Sequence, residues 1–87
     1  MDAEQLERIK NPQVGDRYEK GSGDGLIVCE VLVVGPVTVN GEVEGQSVNC
    51  QITFPNGEKK LLVSDPQSFA EMAVNTVLRG AIFKPAQ

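Results

Sequence analysis

The amino-acid sequence predicts an α+β fold that is mostly β: a small, bent five-stranded antiparallel sheet or barrel, with a C-terminal helix packed on it and a short N-terminal helix. Three observations carry this. Residues 47–54 alternate strictly, with Val48, Cys50, Ile52 and Phe54 on one face and Ser47, Asn49, Gln51 and Thr53 on the other. Asn40-Gly41 and Pro55-Asn56-Gly57 punctuate the β-rich region with hairpin signals. Ser64-Asp65-Pro66 then opens a stretch whose apolar side chains recur at helical spacing. The whole is one domain, residues 1–87, with a helix in 1–11, antiparallel strands in 14–63, a helix in 65–79 and a tail in 81–87. A chain this short buries about 60–65% of the surface its unfolded form exposes, so its core is thin and oligomerisation would help it.

In chain order, residues 2–10 form a helix with Asp2 as its cap and Leu6 and Ile9 on one side, stopped by Asn11-Pro12 because the residue before proline avoids the helical region. Pro12-Gln13-Val14-Gly15-Asp16 turns the chain into a first strand near Arg17 to Lys20, and Gly21-Ser22-Gly23-Asp24-Gly25 connects it to the next. Residues 26–34, LIVCEVLVV, hold Glu30 as their only polar side chain, so a strand here is apolar on both faces. Gly35-Pro36 is expected to end it. Across Asn40-Gly41-Glu42 a three-residue loop with a bulge would set Val39 against Val43. The last strand of the region, 58–63, is expected to turn Leu61 and Val63 into the core. In the C-terminal helix Asp65 caps, Pro66 takes the first position, Phe69, Met72, Ala73 and Val77 form a stripe, and Gly80 ends it in a left-handed conformation. The natural target of that stripe is the second apolar face of residues 26–34. Ile82 and Phe83 need burial as a short edge strand or against a neighbouring subunit.

Pro12-Gln13-Val14-Gly15-Asp16-Arg17-Tyr18, followed by a hydrophobic strand, resembles the opening of small SH3-like and Tudor-like barrel proteins often encoded by phages and prophages. The resemblance covers about the first third of the chain. It implies a binding module and transfers no functional residue. The chain departs from that pattern in its aromatics: Tyr18, Phe54, Phe69 and Phe83 are the whole set and there is no tryptophan, so recognition through an aromatic cage is not expected.

Composition narrows function by exclusion. Eight basic against twelve acidic residues give a net charge of −4, scattered singly, which favours solubility and weighs against duplex DNA. The N-terminal residues MDAEQLERIK carry neither a signal-peptide pattern nor a membrane span, so cytoplasmic residence is expected, in the host cytoplasm if the protein is phage-encoded. Cys29 and Cys50 are then expected to stay thiols in the core. There is no histidine, the commonest general base and transition-metal ligand, and no motif positions a carboxylate pair, so the reading is not an enzyme and calls for no cofactor and no metal. The glycine loop precedes a strand rather than a helix and so lacks the geometry of a phosphate cradle. Asp16, Glu19 and Asp24 around that loop offer oxygen atoms to a hard cation without any recognisable spacing.

The sequence therefore points to a non-catalytic interaction module, self-associating and binding a protein partner, as a phage regulator or inhibitor of a host protein would. Its contact surface is read as Leu26, Val28, Glu30, Leu32, Val34, Ile82 and Phe83. Glu30 is expected to pair with Arg17, Lys59 or Lys60. The alternative is an oligomer that sequesters a small ligand or nucleotide, with Arg17, Lys20, Lys59 and Lys60 holding an anionic group. A barrel that binds single-stranded nucleic acid is the third reading, short of stacking aromatics and of a basic groove.

Overall fold

The computed structural model describes residues 3–23, 25–75 and 78–86. The expected roles of Asp2 as a cap, Asp24 as a ligand and Val77 in the helical stripe lie outside the described residues. Seven elements follow in order: α1 (Ala3–Lys10), β1 (Arg17–Ser22), β2 (Gly25–Val39), β3 (Glu42–Thr53), β4 (Lys59–Ser64), α2 (Pro66–Asn75) and β5 (Ile82–Lys84). The strands make one antiparallel sheet in the order β4-β3-β2-β1-β5. It is open, with β4 and β5 as its edges, so of the two architectures expected the sheet is present and the closed barrel is not. No described helix is long and apolar enough to cross a membrane.

The chain is divided into its five strands differently from the expected division. Gly35-Pro36 does not end β2, which runs 15 residues through Pro36 to Val39. Proline is tolerated there because β1 pairs with β2 only as far as Glu30, so the distal part of β2 has β3 on one side alone. The fifth strand is Ile82–Lys84, set beside β1 as the short edge strand that was one of the two fates expected for Ile82 and Phe83. Asn40 (φ 54°) and Gly41 (φ 81°) both adopt the left-handed conformation of a two-residue hairpin turn, which Asn and Gly alone accept readily. Val39 therefore faces Glu42 and Val43 faces Thr38, correcting the expected three-residue loop.

The 55–57 turn decides what β4 buries. The Phe54 amide donates to the Glu58 carbonyl at 2.8 Å and the Gly57 amide to the Phe54 carbonyl at 2.9 Å, with Gly57 at φ 91°. Phe54 and Glu58 thus share a face, and alternation turns Leu62 inward opposite Cys50. Leu61 and Val63 point outward, 70% and 72% exposed, contrary to the expected core role.

One face of the sheet holds the core. Tyr18, Cys29, Val31, Val48, Cys50, Ile52 and Phe83 form a single buried cluster with Ile9 of α1, with Phe69 and Ala73 of α2, and with Leu78 beyond it. Both helices lie on this face, α1 packed on α2. Among the described residues, no helix covers the second face of residues 26–34, where the C-terminal helix was expected. In α1 only Ile9 is buried and Leu6 is exposed. The Asp65 carboxylate accepts the Ser68 amide at 2.7 Å, capping α2 as expected, and this hydrogen bond holds its carboxyl below the ordinary range. Gly80 has φ 83°.

Tyr18 sits at the centre of the core, stacked on Phe83 (centroids 4.9 Å apart) and edge-on to Phe69 (5.7 Å). Its hydroxyl is buried without a hydrogen-bond partner among the described residues. Burial, then the nearby Asp16, push its ionisation well above the ordinary 10.0. The stability this shift represents is present below pH 10 and is lost as pH rises beyond it, because the unfolded phenol ionises first. Tyr18→Phe is accordingly expected to leave neutral-pH stability unchanged or raise it by up to about 1 kcal/mol. It should also flatten the fall in stability above about pH 10. Urea unfolding of both proteins at neutral and alkaline pH measures this.

Candidate protein-interaction surface

Register fixes which side chains share the outer face. One row reads Lys84, Arg17, Glu30, Gln51, Leu61 from β5 to β4. The row on one side reads Ile82, Glu19, Val28, Thr53, Lys59, and on the other Val33, Asn49 and Val63 complete the face. A bulge at Leu32, between the pairs of Val31 and Val33, shifts the parity of β2 so that Val34 joins the inner face.

An ion-paired band occupies the β5–β1–β2 side of this face. Lys84 meets Glu19 at 2.9 Å, and Arg17 meets Glu19 at 3.4 Å and Glu30 at 3.7 Å. The Lys84 hydrogen bond holds the Glu19 carboxyl below its ordinary value. Of the three cations expected near Glu30, the structure places Arg17 opposite it. The β4 side carries the exposed apolar side chains Leu61 and Val63, with Val33, 52% exposed, across the polar β3 row of Asn49, Gln51 and Thr53. Beyond the body of the sheet, the β2–β3 hairpin projects as an arm whose Val37, Val39 and Val43 are exposed. The molecule is correspondingly long, 47 × 30 × 24 Å.

The residues expected to form the contact surface divide between two faces. Leu26, Val28, Glu30 and Ile82 lie on the outer face, Leu26 and Ile82 well exposed and Val28 and Glu30 half-buried. Leu32 sits at the bulge. Val34 packs against the core and Phe83 is buried on Tyr18, so these two serve the interior because β2 and β5 turn them toward the helices. Val33, Leu61, Val63 and the arm were missed. The signal for Leu61 and Val63 is the three-residue 55–57 loop, which with Phe54 inward turns Leu62, not Leu61, toward the core.

The cations of the small-ligand alternative are not brought together. Arg17 and Lys20 stand on β1, and Lys59 and Lys60 on β4, with β2 and β3 between, about 14 Å at the usual strand spacing. Arg17 is engaged by two carboxylates, and Lys60 lies over the Phe54 ring at 5.9 Å. Of the three acids expected to offer oxygen atoms to a cation, the two that are described are engaged elsewhere. Asp16 is fully buried, its carboxylate accepting from Arg8 Nη2 at 3.0 Å and from the amides of Gln13 (2.9 Å) and Ala86 (2.8 Å). Glu19 is turned to Lys84 and Arg17 instead, and no group of three metal-ligating side chains exists among the described residues.

Cys29 and Cys50 are buried free thiols, diagonal neighbours on adjacent strands since Cys29 faces Ile52 and Cys50 faces Val31. Their mutual hydrogen bond, then burial, push the Cys29 thiol up. Both thiols being buried in the core is in keeping with a packing role. Compared with protein-family models, with curated proteins and with solved structures, the chain matches none of them.

Proposed function

We propose that this chain is a non-catalytic interaction module that docks proteins, a second copy of itself included, through the outer face of its sheet. The supporting observation is the helix-free face: Leu26, Val33, Leu61, Val63 and Ile82 are each at least 50% exposed while both helices cover the other side. Apolar side chains gathered on one face of a small domain mark a contact surface. A module of this kind acts by occupying a target's surface, as a small regulator or inhibitor of a host protein would. The scattered cations give the ligand-sequestering alternative no comparable support.

A photo-crosslinking residue at Val33, compared with one at the exposed Glu71 of α2, tests the reading in the native cell. We expect a protein adduct from position 33 and not from 71. The adduct partner, once purified, should lose at least about tenfold in affinity for Val33→Asp, a charge buried in an apolar contact. No adduct at 33, or equal adducts at both positions, overturns the reading.

A further inference from the structure

We propose that the occupant of the β4 edge is a second copy of this chain, its β4 added antiparallel about a twofold axis at Leu62, joining two five-stranded sheets into one of ten. This deepens the docking reading above and rests on it. The backbone supplies the hydrogen-bonding groups. Glu58 is hydrogen-bonded to Phe54, and in an antiparallel ladder the bonded pairs alternate, so Lys60, Leu62 and Ser64 direct their amides and carbonyls to β3. Those of Lys59, Leu61 and Val63 point to the free edge.

Side chains select the register. Paired residues must share a face, and an edge that bonds through 59, 61 and 63 allows axes from 59 to 63. An axis at Leu62 sets Leu61 against Val63 of the second copy twice over, Leu62 against Leu62 and Lys60 against Ser64 on the inner face, and brings Lys59 alongside Asp65, the α2 cap just past the end of β4. An axis at 61 sets Lys59 against Val63, and an axis at 63 sets Leu61 against Asp65. An axis at 59 or 60 sets lysine against lysine, and only the axis at Leu62 gives Leu61, Leu62 and Val63 apolar partners all at once. Two chains of net charge −4 repel, and this edge is where each offers a lysine to the other's carboxylate. The opposite edge suits the role less: β5 is three residues long and is followed at once by Pro85. A β4–β4 contact is isologous and closes at two copies, whereas β4 on β5 would propagate.

Sedimentation equilibrium of the intact protein tests the pairing. The strand contact is small, so mass should rise from 9.4 kDa toward twice that value between about ten micromolar and a millimolar. Lys59→Glu, which sets like charges opposite Asp65 in both symmetric pairs, should weaken association by about fivefold. Register is read by disulfide trapping. Hydrogen-bonded antiparallel pairs lie about 5.5 Å apart at Cα, within disulfide reach. A mixture of Leu61→Cys and Val63→Cys should cross-link under mild oxidation, and neither variant alone should. Both positions are exposed, so folding is not at stake. A protein that stays at single mass to about a millimolar overturns the dimer, and faster linking of Leu61→Cys to itself overturns the register. If the dimer fails while position 33 still captures a different protein, the docking reading stands without it. If both fail, that reading falls too.

Discussion

Replacing Asp16 by alanine is expected to cost about 3 kcal/mol of stability, the largest loss from any single polar side chain here. The carboxylate is fully buried and holds three parts of the chain at once: Arg8 at the end of α1, the Gln13 amide in the turn before β1, and the Ala86 amide after β5. Alanine leaves two amide donors without an acceptor and a guanidinium without its anion. Arg8 keeps some hydration, its side chain being 27% exposed, which puts the loss at the lower end for a broken buried pair. A domain of this length has about 4–13 kcal/mol in total, so its melting temperature should drop by about 12 °C or more. Asp16→Asn keeps an oxygen for one amide and should lie between. Thermal unfolding by circular dichroism ranks the three proteins, and equal melting temperatures for Asp16→Ala and the natural sequence would contradict the clamp.

Phe69→Ala should be comparably severe, costing about 3–5 kcal/mol. Phe69 is the fully buried anchor by which α2 meets the sheet, edge-on to Tyr18. Its removal opens a void between helix and strands that the rigid ladder beneath cannot close. Leu61→Ala, at a residue 70% exposed, is the matched control and should stay within about 0.5 kcal/mol at concentrations where the protein is monomeric. Denaturant midpoints give both values directly. Similar effects of the two substitutions would mean that the helices do not sit where the structure has them.

What was legible in the sequence was local. The 48–54 alternation, the place of the Asn40-Gly41 hairpin and the cap-and-proline start of α2 each depend on residues within a few positions of one another, and each is found, the hairpin with a loop one residue shorter than expected. The doubly apolar character of residues 26–34 was also plain. Which face the helices take was not, because that depends on where α1 and α2 dock after the chain has folded back. Pro36 inside β2 was misread for a similar reason: whether a missing amide matters depends on whether another strand lies alongside. The inverted parity of β4 turned on one residue of loop register. Asp16 was placed in the turn before β1 and offered to a cation, and its role as a clamp depends on the return of residue 86 from far along the sequence.

That return also has a kinetic side. Among themselves, strands β1 to β4 pair only as sequence neighbours, so most of the sheet can zip up through short-range contacts soon after collapse. The bond from Ala86 to Asp16 spans 70 residues, and the three pairs of β5 with β1 lie nearly as far apart. Closing so long a loop early is entropically costly, which places the arrival of β5 among the last steps of folding. The same logic makes that strand the first to fray, so transient opening of the native protein should begin at the seam where the two ends of the chain are tied.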